Sequence, residues 1–332
     1  MMEPLHLFSV FHLNLAYSAI AESQRAEVIE RCYWPILRMA SDRCPIGVEA
    51  SGYTLETIAR LDPGWIEEFR GQLNAGRCEL VGSGYAQVIG PLVPWRVNAA
   101  NLRIGLETYE SLLETRPVIG LIGEQAYSSG LASQYGQAGY QALIMEWENP
   151  ASAHPEWKSE WRYRPQMARD SRGESIPILW SSAIAFQKFQ RYAHGELSLD
   201  SLVGYLRDQA GPGRPLFCIY ANDAEVFDFR PGRYETEPAL AEEGEWVRIS
   251  RLLDRLSTLD AFRFCCPSEG LEYLRRDAEP LCLESAEDPV PVKKQRKYNV
   301  TRWAVTGRDD LGINTACWRI YRSLVERGSE EE

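Results

Sequence analysis

Two acids at the end of an apolar run are the first residues whose chemistry can be argued from the sequence. The run "PLFCIY" is followed by "ANDAEVFDFRPGRY", so that Asp223 and Glu225 come directly after the apolar residues. A carboxyl group at the end of a buried strand can donate a proton, accept one, or hold a hydroxyl group. Acid–base chemistry of this kind needs a partner, so another acid is expected at the end of a different strand.

Several other predicted strands also end in acids. "VIGLIGE" ends in Glu124, "ALIMEWE" carries Glu146 and Glu148, and "IGVEAS" carries Glu49. Taken singly, each acid has an ordinary explanation, as a solvated loop charge or as a charge that complements a helix N-terminus. Parallel barrels, however, keep their chemistry at the carboxyl ends of their strands. If these acids converge there, a catalytic pair becomes the favoured interpretation.

Strand-like and helix-like segments alternate along most of the chain. "LHLFSVFHL" is a predicted strand, and "AESQRAEVIERCYWPILRMA", with apolar residues at helical spacing, is a predicted helix. About seven such units occur, interrupted by a hairpin-bearing excursion over residues 160–182, and alternation of this kind indicates parallel strands. The predicted fold is therefore α/β, a (β/α)7-type distorted parallel barrel over residues 1–275. A doubly wound open sheet is the alternative.

The last part of the sequence differs from the rest. Residues 276–332 are charged and punctuated by proline before the amphipathic stretch "GINTACWRIYRSLVER". We predict a C-terminal extension with a helix that packs on the barrel and brings Trp303 and Arg308 towards the cleft.

Composition restricts the partners of this protein. The 332 residues include 36 Lys and Arg against 47 Asp and Glu, a net charge of −11, which disfavours nucleic acid and anionic membranes as partners. The eight cysteines form no CxxC pair, the start lacks the features of a signal peptide, and no apolar run approaches the ~20 residues of a membrane span. We expect a cytoplasmic protein with reduced thiols. Without a GxGxxG or P-loop motif, no nucleotide cofactor is expected.

Five segments resemble, in their order and approximate spacing, the motifs of glycoside hydrolase family 57. They are "FHLNLAY", "NAGRCELVGSGYAQVIGPLVP", "IGEQAYSSGLASQYGQAGYQALI", "SIPILWSSAIAFQKFQ" and "YANDAEVFDFRPGRY". The resemblance covers residues 5 to about 275. It implies a retaining α-glycosidase or glycosyl transferase on a (β/α)7 barrel, acting on an α-linked carbohydrate. By the same match, Glu124 would be the nucleophile and Asp223 the general acid/base.

The resemblance also places other residues at the site. Glu79 falls on an active-site glutamate, and His12 on the first histidine of an H-x-H-Q-P motif. The sequence departs from the family pattern at Asn14 (the second histidine), Leu121 (a tryptophan) and Asp228 (the glycine that closes D-x-E-x-F-G). These changes keep both catalytic carboxyl groups and alter the surroundings expected for the sugar, so that Asn14 would separate this protein from plain amylases.

The remaining predicted contacts concern the bound sugar. His12 and Glu79 suit hydroxyl recognition, although His12 can also be a core histidine. Glu225 is expected to orient a neighbouring residue or a sugar hydroxyl. Aromatic side chains can stack on sugar rings, and each is also a plausible core residue; the candidates are Tyr85, Tyr127, Trp147 and Trp180.

Two other functions are left open by the residues. A metal-dependent enzyme, similar to family 38 mannosidases or polysaccharide deacetylases, would need more ligands than this chain offers. It has four histidines and no H-x-x-x-H, and Asn14 stands where zinc would need a carboxylate. We therefore expect a metal-free site. A non-catalytic sugar-binding barrel is the second alternative, and the presence of both Glu124 and Asp223 argues against it.

Overall fold

The computed structural model describes residues 3–16, 19–170, 172–230, 243–276, 278–284, 290, 304 and 309–328. In this part of the chain a nine-stranded sheet forms the centre of the molecule. Its strands are β1 (Leu5–Leu13), β2 (Ile46–Ala50), β3 (Cys78–Gly82), β4 (Ile119–Leu121), β5 (Ala142–Glu146), β6 (Gln166–Arg169), β7 (Ser175–Ser181), β8 (Leu216–Asp223) and β9 (Phe262–Phe264).

The strands are almost all parallel. Their order is β6-β7-β5-β4-β3-β2-β1-β8, with β9 paired to the first residues of β1, and only β6 and β7 pair antiparallel. The sheet curves until β7 and β8 lie in contact, but no hydrogen-bonded ladder between the described residues joins them. This arrangement is a distorted, incompletely closed parallel barrel, so the predicted α/β fold is confirmed. The predicted hairpin is also present, but its second strand, β7, is itself a barrel strand beside β5.

Helices cover the outer side of the sheet. They are α1 (Arg25–Val28), α2 (Trp34–Met39), α3 (Gly52–Leu61), α4 (Pro63–Asn74), α5 (Trp95–Leu113), α6 (Ser129–Ala138), α7 (Glu148–Ala151), α8 (Ala183–Ala193), α9 (Leu199–Gln209) and α10 (Glu245–Ser257), and a π-helical turn, Ile29–Tyr33, connects α1 and α2. Pro63 separates α3 from α4 as its missing N–H requires, and the Asp62 side chain caps α4 by accepting the Trp65 N–H. None of the helices in the described ranges combines the length and the apolar composition needed to cross a bilayer.

Two apolar layers hold the barrel together. A large core lies between the strands and the helices, and a smaller cluster fills the interior of the barrel with side chains from six strands. The interior cluster includes Phe8, Val10, Val81, Ile119, Ile144, Leu179, Leu216 and Cys218. Since the middle of the barrel is filled by these side chains, polar residues of the interior are confined to its two ends.

Glu79 lies at the amino end of the barrel. It is the second residue of β3, opposite Gly47 in the strand register, and its Oε2 accepts a hydrogen bond of 2.9 Å from the Ser268 N–H. Ser268 belongs to the turn Pro267–Tyr273, which packs against the interior cluster from this end. The predicted contact of Glu79 with a sugar does not agree with this position, because active sites of parallel barrels lie at the other end.

We expect Glu79→Gln to stabilise the protein more at pH 8 than at pH 5. Burial raises the pKa of Glu79 from 4.5 to about 7. Below pH 4.5 the carboxyl group is protonated in both the folded and the unfolded protein, and its burial carries no ionisation cost. As the pH rises through about 7, the unfolded protein releases this proton more readily, and the free energy of unfolding falls. Glutamine stays neutral and can still accept the Ser268 N–H, so the gain should be roughly 2 kcal/mol larger at pH 8. Urea denaturation of Glu79→Gln at both pH values measures it, with exposed Glu67→Gln as the control. An equal gain at both pH values would contradict the prediction.

Little of the predicted extension falls in the described part of the chain. Its helix, Asp310–Gly328, is present, and Trp318 Nε1 donates a hydrogen bond of 3.2 Å to the carbonyl oxygen of Leu92. Trp303 and Arg308 lie outside the described residues, so their predicted approach to the cleft stays a prediction. The boundary at residue 275 is likewise a proposal.

Candidate active site

The polar side chains at the carboxyl end follow from the alternation of side chains along each strand. A residue two positions after an interior residue points to the same side of the sheet. Val10 of β1 lies in the interior cluster, so His12 points inward beyond it, and Glu146 follows Ile144 of β5 in the same way. The polar residues placed at this end are His12, Glu49, Ser83, Glu146, Ser181 and Asp223.

Asp223 reaches this end because of an irregularity in β8. The register of β8 against β1 shifts by one residue, so that Phe8 pairs with Cys218 but Ser9 pairs with Tyr220. Cys218 lies in the barrel interior, whereas Tyr220 is packed in the outer core. Without this bulge, strict alternation from Cys218 would direct Asp223 away from the interior. A bulge next to a functional residue is a common way to re-aim a side chain.

These side chains surround a cavity of about 450 Å³. Both predicted catalytic acids line it: Glu124 from the turn after β4, and Asp223 from the end of β8. Leu121, at the position of the family's tryptophan, lines it as well. The structure therefore brings together the two acids that the sequence singled out, although they are 99 residues apart in the chain.

The turn that carries Glu124 has a strained backbone. Glu124 and Gln125 have φ values of 54° and 57°, in the left-handed region that few residues other than glycine adopt. Such strain costs on the order of 1–2 kcal/mol per residue and persists only where the surroundings impose it. Here the Gln125 side chain accepts a hydrogen bond of 2.7 Å from the Glu146 N–H, which ties the turn to β5. The turn therefore holds Glu124 in a defined position at the cavity.

Asp223 and Glu225 have different surroundings. The Asp223 side chain is 46% exposed, and its Oδ1 lies 4.0 Å from His12 Nε2. Glu225 is buried and accepts hydrogen bonds from the Tyr33 hydroxyl group and, at 2.7 Å, from the Asn14 N–H. Burial, followed by the charge on Asp223, raises the pKa of Glu225 to about 7. Glu225 does not line the cavity; instead it fixes the chain next to Asp223, which leaves the predicted contact with a sugar hydroxyl without a structural basis.

Asn14 and Asp228, two of the departures from the family pattern, are also placed outside the lining. Asn14 is half-buried and contributes its main-chain N–H to Glu225. Asp228 has a φ of 57°, which explains why a glycine suits this position, and its side chain accepts the N–H groups of Glu245 and Trp246 at the start of α10. The structure therefore does not place Asn14 in the wall of the cavity.

None of the four predicted stacking residues belongs to the cavity lining. Tyr85 donates a hydrogen bond of 3.0 Å to Glu56, and Tyr127 is buried. Trp147 and Trp180 are buried and pack against one another, with ring centroids 5.1 Å apart. Trp180 immediately precedes Ser181, which points inward from β7. Alternation along the strand therefore directs the Trp180 side chain to the outer core. The aromatic side chain that does line the cavity in the described structure is Phe186, on α8.

Several lining residues were missed by the sequence analysis. They carry the carboxylate or amide groups that a sugar-binding cavity uses, and they are Glu49, Gln87, Gln125, Glu146 and Asn222. Glu49 and Glu146 are strand-end acids in the sequence. Each lies two residues after an inward-pointing residue, and this spacing is the signal that identifies them as lining residues. Gln87 and Gln125 lie on turns, where alternation gives no such signal.

The ionisable groups of the cavity are mostly acids. Four acids line it, Glu49, Glu124, Glu146 and Asp223, with His12 as the titratable base among them. Burial lowers the pKa of His12, while the charge on Asp223 opposes this effect, so the imidazole is neutral at pH 7. Within the described ranges, no three His, Cys, Asp or Glu side chains are grouped so that they could hold a metal ion.

The fold and the cavity define the general class of this protein. It is a distorted parallel α/β barrel with converging carboxyl groups at the carboxyl end of its strands, the end at which barrels of this type hold their active sites. The chain belongs to glycosyl hydrolase family 57, whose model matches residues 5–275. The resemblance inferred from the motifs is thereby confirmed.

Known proteins agree with this assignment. An alpha-amylase of Pyrococcus furiosus is 24% identical over 280 residues, which are 82% of this chain and 41% of the amylase. The crystal structure of a 4-alpha-glucanotransferase from Thermococcus litoralis has a TM-score of 0.71 at 18% identity, covering 99% of this chain and 47% of that one. A family 57 branching enzyme from Thermococcus kodakaraensis has a TM-score of 0.64 at 12% identity, covering 96% and 78%. The chain thus spans less than half the length of the first two proteins.

Proposed function

We propose that this protein is a retaining glycoside hydrolase or transglycosylase that acts on an α-linked oligo- or polysaccharide. One observation carries the proposal: Glu124 and Asp223, from the ends of two different strands, line the same cavity. The family assignment supports it, and the named relatives include an alpha-amylase, a 4-alpha-glucanotransferase and a branching enzyme. An α-glucan is therefore the proposed substrate class.

The proposed chemistry assigns one role to each acid. Glu124, held by its strained turn, attacks the anomeric carbon, while Asp223 donates its proton to the departing oxygen. The glycosyl–enzyme ester is then attacked by water or by a sugar hydroxyl, and Asp223 takes up the proton of the attacking group. Because the substitution occurs twice, the product keeps the α configuration. The partly exposed carboxyl group of Asp223 suits proton exchange with both leaving and entering groups.

The stereochemistry of the first product tests the proposal. We expect 1H NMR during hydrolysis of a maltooligosaccharide to show the α-anomer first, followed by slow mutarotation, and we expect EDTA to leave the rate unchanged. Initial release of the β-anomer would overturn the retaining mechanism. Loss of activity with EDTA that zinc restores would favour a metal-dependent enzyme instead. Binding of maltooligosaccharides in calorimetry, with no cleavage after prolonged incubation, would favour a non-catalytic sugar-binding barrel.

A further inference from the structure

Glu49 is an acid of the cavity that the catalytic pair does not explain. It lies on β2, its side chain is completely buried, and its Oε2 contacts His12 Nδ1. Its Oε1 has no hydrogen-bond partner among the described residues. Burying a carboxyl group with so few partners opposes folding. A role in function is therefore a better explanation of Glu49 than a role in stability.

The contacts of His12 determine which ring nitrogen carries the proton. The amide nitrogen of Gln87 lies 2.5 Å from Nε2 and can only donate a hydrogen bond, so Nε2 is the acceptor and the proton of the neutral imidazole lies on Nδ1, where it is donated to Glu49. The other nitrogen, Nε2, then carries the lone pair that accepts. It faces the amide group of Gln87 at 2.5 Å, and Asp223 Oδ1 lies 4.0 Å away. His12 Nε2 is thus an acceptor beside the proposed acid/base.

The loop that carries Gln87 is held close to its neighbours. Gly84 has a φ of +100°, and a Cβ added to Gly105 of α5 would lie 2.5 Å from the Gly84 carbonyl carbon. Asn101 fixes the same loop by accepting the Ala86 N–H at 2.8 Å. This tightly packed segment therefore places the amide of Gln87 against His12. A sugar hydroxyl group that replaced the amide would donate to the same nitrogen, Nε2.

We propose that Glu49 is a positioning residue that holds His12 protonated on Nδ1, so that Nε2 accepts a hydrogen bond from a sugar hydroxyl bound beside Asp223. The identity of the ligand rests on the proposed function, whereas the assignment of the proton does not. The proposal restricts the substrate: the sugar at this position must carry a free hydroxyl group that donates to Nε2. A deoxy sugar that displaced the Gln87 amide would not replace its hydrogen bond to Nε2, and sites built for a hydroxyl discriminate strongly against such analogues.

Long-range 1H–15N NMR of the unmodified protein tests the proton assignment directly. The chain has four histidines, so the signals of His12 can be identified as those missing in His12→Gln. We expect a protonated Nδ1 and an unprotonated Nε2 at pH 7. In Glu49→Leu, which removes the acceptor, the proton should move to Nε2 or exchange between the two nitrogens. A wild-type His12 protonated on Nε2, or a Glu49→Leu spectrum identical to that of the wild type, would overturn the proposal.

Kinetics of the same variant test the function of Glu49. We expect Glu49→Leu to lower kcat/KM about tenfold or more, because the hydrogen bond that His12 Nε2 accepts from the substrate is lost when the proton leaves Nδ1. A monodeoxy substrate that the wild type discriminates against should be discriminated against less by the variant. The matched control is Glu156→Leu, because exposed Glu156 contacts His154 Nδ1 at 3.0 Å on the surface; it should change neither kcat/KM nor the signals of His12. Unchanged kcat/KM in Glu49→Leu would contradict the proposal.

These outcomes separate this inference from the proposed function. If Glu124→Gln is inactive and His12 is protonated on Nε2, the role of Glu49 fails and the retaining mechanism stands. If Glu124→Gln keeps its activity while His12 is protonated on Nδ1, the retaining mechanism fails and the proton assignment stands.

Discussion

Glu124→Gln is expected to lower kcat on a maltooligosaccharide by about 10⁴-fold or more, because Glu124 is the proposed nucleophile that forms the glycosyl–enzyme ester and an amide cannot replace it. Binding of the sugar should change little, since glutamine keeps the size of the side chain and Gln125 still ties the strained turn to β5. Initial rates and calorimetric titration measure the two effects. The control, Glu107→Gln, changes an exposed glutamate of α5 that pairs with Arg103, and it should leave kcat unchanged.

Azide gives this variant series a second readout. Glu124→Ala leaves space on the face from which the nucleophile attacks, so azide should rescue cleavage of an activated aryl α-glycoside and yield the β-glycosyl azide. This product has the inverted configuration, because only one substitution has occurred. Retention of most of the activity by Glu124→Gln on unactivated substrate would remove Glu124 from the mechanism, and an α-glycosyl azide from Glu124→Ala would assign it a different role.

The second large effect is expected in Asp223→Ala and depends on the leaving group. Maltooligosaccharides need a proton on the departing oxygen, and their kcat/KM should fall by about 10²- to 10⁴-fold. Activated aryl α-glycosides leave without a proton, so their kcat/KM should fall by less than about tenfold. Their kcat should fall more than their kcat/KM, because breakdown of the glycosyl–enzyme also needs Asp223 as a base, and a burst of aryl alcohol should precede the steady state.

Azide again distinguishes the two acids. In Asp223→Ala the nucleophile is intact, and azide, which needs no general base, should release the glycosyl–enzyme as the α-glycosyl azide. Opposite configurations from the two variants would establish both roles together. Exposed Asp208→Asn on α9 is the control for the loss of one acid. An equal loss on activated and unactivated substrates would contradict the assignment of Asp223 as acid/base.

The sequence was a good guide to features that depend on neighbouring residues. Alternation of apolar runs with helical patterns predicted the parallel barrel, and the break between α3 and α4 follows from Pro63, because backbone chemistry is local. Strand ends were also recognisable, since polar residues appear where burial stops. For this reason Glu124 and Asp223, which lie at such ends, were selected before the strands were placed in space.

The direction of side chains was predicted less well. Trp180 and Trp147 were proposed as sugar platforms and are core residues, while Phe186 lines the cavity unpredicted. Glu79 was expected beside the sugar and lies at the amino end, three residues before the end of its strand. Residue type alone does not distinguish these cases. The distinction depends on which face of a strand turns inward and on how far along the barrel a residue lies.

The sequence by itself thus determined the class of fold, the strand ends and the two acids that the proposed chemistry needs. Only the tertiary structure decided that these acids line one cavity. The bulge between Cys218 and Tyr220 turns Asp223 inward, and it is defined by the pairing of β8 with β1, in which Asp223 pairs with His12, 211 residues earlier in the chain. The pairing of Glu49 with His12 has the same origin, since β1 and β2 place these two residues directly opposite one another. Register between strands depends on contacts across the whole barrel, and no local pattern in the chain encodes it.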